Sequence, residues 1–345
     1  MAVKAPRILI VRLTALGDVI HGLPVACALR EAFPSAVLGW VVEGRNAELV
    51  EGHPALDHVI RVPRRWWKSP RTVFDLRRRL RALEFDISID LQCLTKSAVA
   101  AKLSGAPRRI GKAGADGREL SRLFHNELVE AGGRHVIDHY LEMLQPLGIK
   151  SPRVRFDLPE READGRMAEA FLAFERLAAK GFAILNPGAG WPSKVWPAER
   201  YGEVGRRLRM IHGLPSVAVW GVPAEKPLAE AIVSSSGRAV RLAPATTVLE
   251  LAALCRRAAL FVGSDTGPMH LAVAVETPTI SLHGPSSAEW CGAYGRHNVR
   301  LQVSYDNSVE KMRRADDSAM RAITVDMVSA ACGEALGRAR LRKAG

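Results

Sequence analysis

Cysteine is scarce in this chain of 345 residues and never paired in sequence. The five thiols (Cys27, Cys93, Cys255, Cys291, Cys332) are scattered, odd in number and never spaced as CxxC. That argues against a disulfide framework and a structural zinc site, and reads as buried free thiols. Long apolar runs are missing too. Stretches such as Ile8–Val11 and Ala259–Gly263 are strand-sized, far short of the ~18–20 residues of a membrane-crossing helix. The opening MAVKAPRILIVRL enters a strand-like run without the apolar h-region of a secretory signal, so a cytoplasmic chain is expected. Acidic residues are in deficit: 36 Asp and Glu face 49 Lys and Arg, giving a net charge of +13. The excess is local. Between Arg61 and Arg122 stand 16 basic and 6 acidic residues, a bias that points to an anionic partner or to a solvated basic face.

Several motifs are absent, and each absence removes a chemistry. There is no GxGxxG dinucleotide fingerprint, no GxxxxGK[ST] P-loop and no GxSxG nucleophile elbow. No Asp-x-Asp metal-holding pair occurs, and no RNP, KH or zinc-finger pattern accompanies the basic stretch. His135 and His139 lie i,i+4 in HVIDH, but without a third ligand they read as helix-surface histidines.

What is present alternates. Arg7–Leu13, Ala36–Val42, His58–Val62 and Asp86–Leu91 are apolar, β-branched strand candidates with helical patterns between them, including Thr72–Leu83. Pro152, Pro159 and the charged run Glu160–Arg166 read as a linker, followed by a helix at Met167–Ala179. Strand candidates then resume at Phe182–Asn186, Val217–Trp220, Ala259–Gly263 and Thr279–Leu282, each ending in Gly, Pro or polar residues. Continuous apolar strands joined by helices predict an α/β protein with two doubly wound parallel-sheet domains, at 1–160 and 161–330, and a basic helical tail at 331–345. Ligands of open α/β sheets bind at the carboxyl ends of strands, where this punctuation falls.

Five segments there could carry chemistry. Thr14–Asp18 is a βα turn; Asp18 is either a first-turn carboxylate or a catalytic base. Ser264–His270 follows an apolar strand and precedes a helix expected at His270–Val275, so backbone donors at Thr266 and Gly267 suit a diphosphate; Asp265 is a sugar-hydroxyl partner or an N-cap, and His270 a ligand contact or a core or surface histidine. Asn186–Pro197 joins a Gly-rich turn to Lys194, which neutralises a leaving diphosphate or is a solvated loop residue. Glu225 suits a ribose diol or is an exposed first-turn glutamate. Arg64-Arg65-Trp66-Trp67-Lys68 suits an anionic acceptor, a nucleic acid or a headgroup surface.

Taken together, ILIVRLTALGDVIHGLPV, KVWP at Lys194–Pro197 and SDTGPMHLAVAVETPTISLHGPSS resemble the lipopolysaccharide heptosyltransferases, the ADP-heptose-using glycosyltransferase family 9. RRWWK and the later GREL are most similar to the heptosyltransferase I subgroup. The resemblance spans about Arg7 to Val303. It implies the GT-B fold, two Rossmann-like domains facing across a cleft, with acceptor held by the first and ADP-heptose by the second. It implies inverting transfer to the Kdo region of lipid A, without a metal or other cofactor. On that reading Asp18 is the general base and Lys194 stabilises the departing ADP. Donor contacts would be Ala189, Gly190, Lys194, Glu225, Thr246, Asp265, Thr266, Gly267 and His270, although Ala189 and Gly190 replace hydroxyl residues of the family and keep only backbone contacts. Acceptor contacts would be Arg12, Arg64, Arg65, Lys68, Lys96 and Arg118. The implied partners are ADP-heptose and Kdo–lipid A at the cytoplasmic face of the inner membrane, with no nucleic acid, for a monomeric protein touching that membrane peripherally.

Overall fold

A computed structural model describes residues 5–114, 120–305 and 315–344, with side chains to 338. The chain divides into two compact units, Met1–Pro159 and Glu160–Gly345. Arg118 lies outside the described residues.

The first unit is built on β1 (Arg7–Val11), β2 (Val37–Glu43), β3 (His58–Val62), β4 (Ile87–Asp90), β5 (Arg108–Lys112) and β6 (Glu127–Val129), in the order β3-β2-β1-β4-β5-β6. Every pairing is parallel. Its helices are α1 (Leu16–Ala32), α2 (Pro70–Arg81), α3 (Thr95–Ser104) and α4 (Val136–Glu142). The central strands are buried on both faces, as ILIV of β1 requires, with Ile8 through Val11 fully enclosed.

The second unit repeats this plan with β7 (Ala183–Asn186), β8 (Ser216–Ala218), β9 (Val240–Leu242), β10 (Leu260–Ser264), β11 (Thr279–His283) and β12 (Val299–Gln302), ordered β12-β11-β10-β7-β8-β9 and all parallel. Helices α5 (Glu162–Glu175), α6 (Ala198–His212), α7 (Lys226–Ser235), α8 (Val248–Arg257) and α9 (Gly267–Ala274) cover it. Both sheets therefore have the doubly wound order in which the chain reverses direction between the first and fourth strands, β1/β4 and β7/β10. Ligands collect outside the carboxyl ends at that switch point.

Three expectations change. The charged run Glu160–Arg166 is mostly the first turns of α5, because Glu162 and Asp164 favour a helix N-terminus. Residues 331–345 are not set apart: they belong to one helix, Val325–Ala344, which puts Val328, Ala331, Cys332, Ala335 and Leu336 into the second core. His135 and His139 are buried, not surface residues; His135 caps α4 through Nδ1, which accepts from the Ile137 N–H at 3.1 Å.

Candidate active site

In the second unit the loop after β7 and the loop after β10 meet at the switch point. Trp196 anchors the former. It is fully buried, stacks edge-on to Tyr201 with ring centres 4.8 Å apart, and donates from Nε1 to the Ile323 carbonyl at 2.9 Å. The preceding turn, Pro192–Lys194, is a short 3-10 helix, so its last residue is held by a core tryptophan two positions on. Lys194 reaches Asp265 at 2.6 Å, while His270 Nε2 lies 3.2 Å from the other Asp265 oxygen. Burial opposes ionisation of Asp265. The His270 hydrogen bond and the Lys194 charge more than offset it and hold the carboxyl well below the usual range. An ionised Asp265 only accepts, so His270 donates from Nε2. Asp265 thus acts as no simple N-cap; Thr266 occupies that position of α9, and Pro268 has no N–H to offer. Met269 and His270 already donate to the Thr266 carbonyl, at 3.0 and 3.2 Å, which leaves the Gly267 N–H as the first-turn donor without an acceptor within its own helix, a setting suited to an anion.

A second group lies at the carboxyl ends of β7, β8 and β9. Glu225 Oε2 accepts from the N–H groups of Gly221 (2.9 Å) and Val222 (3.3 Å), which fixes that turn. A Cβ on Gly188 would come within 2.5 Å of Glu225 Oε1, so the glycine admits the carboxylate beside the loop after β7. A Cβ on Gly221 would lie 3.8 Å from the Thr246 carbonyl, which places that residue next to the same turn. Thr246 is buried directly before Thr247, the N-cap of α8. Ala189 is half-buried and Gly190 exposed.

In the first unit, Asp18 sits in the first turn of α1. It accepts from the Ala15 N–H at 3.0 Å and pairs with Arg12 at 2.5 Å. Its side chain remains 41% exposed, whereas Arg12 is buried. Burial works against the Arg12 charge, but Tyr140, Asp18 and Asp90 raise its pKa above the ordinary guanidinium value. The Tyr140 ring lies 5.6 Å from the guanidinium carbon. Gln92 Oε1, from the β4 end, accepts from Leu13 N–H at 2.9 Å and fixes the βα turn. Asp90 is fully buried, accepts from Ser97 at 2.9 Å, and has His125 Nε2 3.2 Å away. Sequence reasoning passed over Gln92, Asp90 and Tyr140, because only the β1–β4 pairing and the α1–α4 packing bring them to residues 12–18.

The cations expected to meet an acceptor separate. Arg64, Arg65 and Lys68 are exposed, but Trp66 between them is core, so the aromatic character of that loop belongs partly to packing. Lys96 is engaged within the unit: it pairs with buried Glu43 at 3.4 Å and lies 5.2 Å from the Trp67 ring centre.

His283 is a residue that spacing alone does not connect to this site. Ser264 is in register with Leu282 across β10 and β11, which carries the adjacent histidine to Asp265. Among the described residues, Asp265, His283 and Cys291 present potential metal-ligand atoms within 4.8 Å of one another. Both Asp265 oxygens are already held by Lys194 and His270. Burial pushes the fully enclosed His283 down to about 4, although Asp265 pulls the other way. An unfolded histidine titrates near ~6.5. As pH falls from about 6.5 towards 4, the unfolded chain gains a proton that folded His283 refuses, and up to about 3 kcal/mol of stability is lost. His283→Gln should flatten the decline of Tm over that interval; an unchanged decline in thermal unfolding would show that His283 does not cause it.

Two doubly wound parallel sheets, each with a polar βα turn at its switch point, are the architecture of the GT-B glycosyltransferases. Residues 73–319 match the family model of glycosyltransferase family 9 (heptosyltransferase), and the chain belongs to that family. Lipopolysaccharide heptosyltransferase 1 of Pseudomonas aeruginosa is 32% identical over 304 residues, 86% of this chain and 83% of that protein. A family 9 glycosyl transferase from Veillonella parvula aligns with a TM-score of 0.86 at 25% identity, covering 98% of this chain and 99% of that one. The E. coli heptosyltransferase WaaC with ADP-2-deoxy-2-fluoro heptose aligns at 0.73 with 25% identity, covering 95% and 99%.

Proposed function

We propose that this protein transfers heptose from ADP-L-glycero-β-D-manno-heptose to the Kdo region of lipid A, with inversion, in building the lipopolysaccharide inner core. The observation that carries this reading is the ionised Asp265 held between Lys194 and His270 beside the start of α9. A carboxylate there suits sugar hydroxyls, and an ammonium has donors left for a diphosphate after serving Asp265. The names of the P. aeruginosa relative and of the WaaC complex supply the sugar and the nucleotide.

In the proposed reaction an acceptor hydroxyl attacks the anomeric carbon as Asp18 takes its proton. The bond from that carbon to the β-phosphate oxygen breaks, and ADP leaves with the electron pair. Lys194 and the backbone donors of Thr266 and Gly267 oppose the charge that develops. Glu225 binds the ribose diol, and Thr246, Ala189 and Gly190 make the remaining donor contacts, the last two through backbone. Arg12 holds Asp18 as a carboxylate until an anionic acceptor competes for the guanidinium. Arg64, Arg65 and Lys68 meet the acceptor's carboxylates and phosphates; Arg118 has the same proposed role. Lys96, which pairs with Glu43 within the unit, has that role as well. No helix among the described residues is long and apolar enough to cross a membrane, and the basic first unit supports peripheral work at the cytoplasmic face of the inner membrane.

The test is ADP release from a panel of nucleotide sugars with Kdo–lipid A as acceptor. Release with ADP-heptose alone is expected. Release only with an already heptosylated core would assign the chain to a later addition, and release with no ADP-sugar would refute the reading.

A further inference from the structure

The β3-β2-β1-β4-β5-β6 order and right-handed crossovers send α2, α3 and the β5–β6 connection to one face of the first sheet. The packing agrees: α3 touches both α2 and the 3-10 turn Ser121–Phe124, while α1 packs with α4. On α2 the core-facing stripe is Leu76 and Leu80, with Val73 against the same cluster. Outside that stripe stands Phe74, 66% exposed, flanked three residues away on each side by exposed Arg71 and Arg77. Across α3 the β5–β6 connection presents Leu120 and Leu123, 60% and 78% exposed, with exposed Arg122 between them. Single exposed apolar residues need no explanation. Three large ones on one side of one sheet, each beside a guanidinium and inside the most basic stretch of the chain, do. Apolar groups that can enter the headgroup–acyl boundary, with basic groups at headgroup level, make the pattern of an interfacial membrane face.

We propose that α2 and the 120–123 segment dock on an anionic bilayer, with Phe74, Leu120 and Leu123 entering its boundary and Arg71, Arg77 and Arg122 pairing with lipid phosphates. The occupant is chosen by charge: the face is basic where a membrane containing acidic phospholipid is negative. A second copy of the same basic face would meet it with like charge. The proposal rests on the reading that the acceptor is anchored in a membrane, but it is tested without acceptor or donor.

The experiment is sedimentation of the full-length protein with vesicles of phosphatidylcholine alone or with about one-third phosphatidylglycerol. Wild type should bind the anionic vesicles at least about tenfold more tightly than the neutral ones, and about 0.5 M NaCl should remove most of that difference. Phe74→Ser/Leu120→Ser/Leu123→Ser should lower partitioning about tenfold or more, as loss of buried apolar groups demands. Arg71→Ser/Arg77→Ser/Arg122→Ser should lower binding to anionic vesicles only. Phe174→Ser, on α5 of the second unit and 83% exposed, should change nothing. Thermal melts check folding, and all six positions are exposed. Wild-type binding by the apolar variant, equal loss in Phe174→Ser, or a dimer dissolved by the substitutions with vesicle binding intact would each overturn the proposal. Heptose transfer to a lipid-free acceptor fragment should survive in the apolar variant. If wild type itself transfers no heptose, the proposed function fails while the vesicle result stands.

Discussion

Asp18→Asn should lower kcat by about 10³-fold, the scale of a lost general base, while the dissociation constant for ADP stays within about twofold. Asparagine keeps an oxygen for the Ala15 N–H, so the first turn of α1 retains its cap. What it loses is the proton acceptor and the charge that pairs with Arg12. Arg12 keeps the Leu91 carbonyl at 3.3 Å and the Tyr140 ring, so the buried guanidinium is not abandoned. With the carboxylate 41% exposed, the lost pair costs stability only on the scale of a screened ion pair, roughly 1 kcal/mol. The large effect therefore falls on turnover and the small one on Tm. Single-turnover rates and ADP titration of the same preparation separate them. Near wild-type turnover would remove Asp18 from the chemistry and leave it a helix-capping residue. Asp18→Ala, which loses the cap as well, should match the asparagine variant in kcat but fall below it in Tm.

The sequence made the architecture legible wherever a strand was long, apolar and central. ILIV, DISIDL and the run before Ser264 are buried on both faces and announce themselves by composition. The strands it did not announce are edge or near-edge elements: RRIGK of β5, the three-residue β6 and β9, and VRLQ of β12. Their charged or half-exposed residues carry little hydrophobic signal, and their pairing is set by the neighbouring strand. The site divides in the same way. Lys194, Asp265 and His270 were legible because a polar motif follows each strand end. Their mutual contact was not, since 71 residues separate Lys194 from Asp265. The setting of Lys96 was hidden for a related reason. A lysine after a strand resembles a ligand cation, and only the fold shows that Glu43, from the end of β2, already faces it. Gln92 and His283 illustrate the remaining gap: both act through a neighbour brought by parallel register, which one chain read alone does not display.

Lys194→Met should lower kcat by about 10²–10³-fold, because one preorganised charge at the departing diphosphate is lost. It should also destabilise the fold by about 3–5 kcal/mol, the cost of leaving one member of a buried pair. Asp265 and Lys194 side chains are only 8% and 12% exposed, and without the ammonium the carboxylate depends on His270. The sign of the pH effect follows. The depressed carboxyl of Asp265 adds stability above the ordinary aspartate value and loses it as pH falls through the folded value. Removing Lys194 raises that folded value, so acid unfolding should begin at a higher pH than in wild type. Asp265→Asn added to Lys194→Met should then restore much of the lost stability, because no unpaired charge remains, without restoring turnover. A double-mutant cycle measured by denaturation and by ADP release reads both quantities. Stability losses that simply add would mean the 2.6 Å contact carries no coupling. Recovery of turnover alongside stability would mean that Lys194 serves packing alone and that charge on the leaving group is met elsewhere.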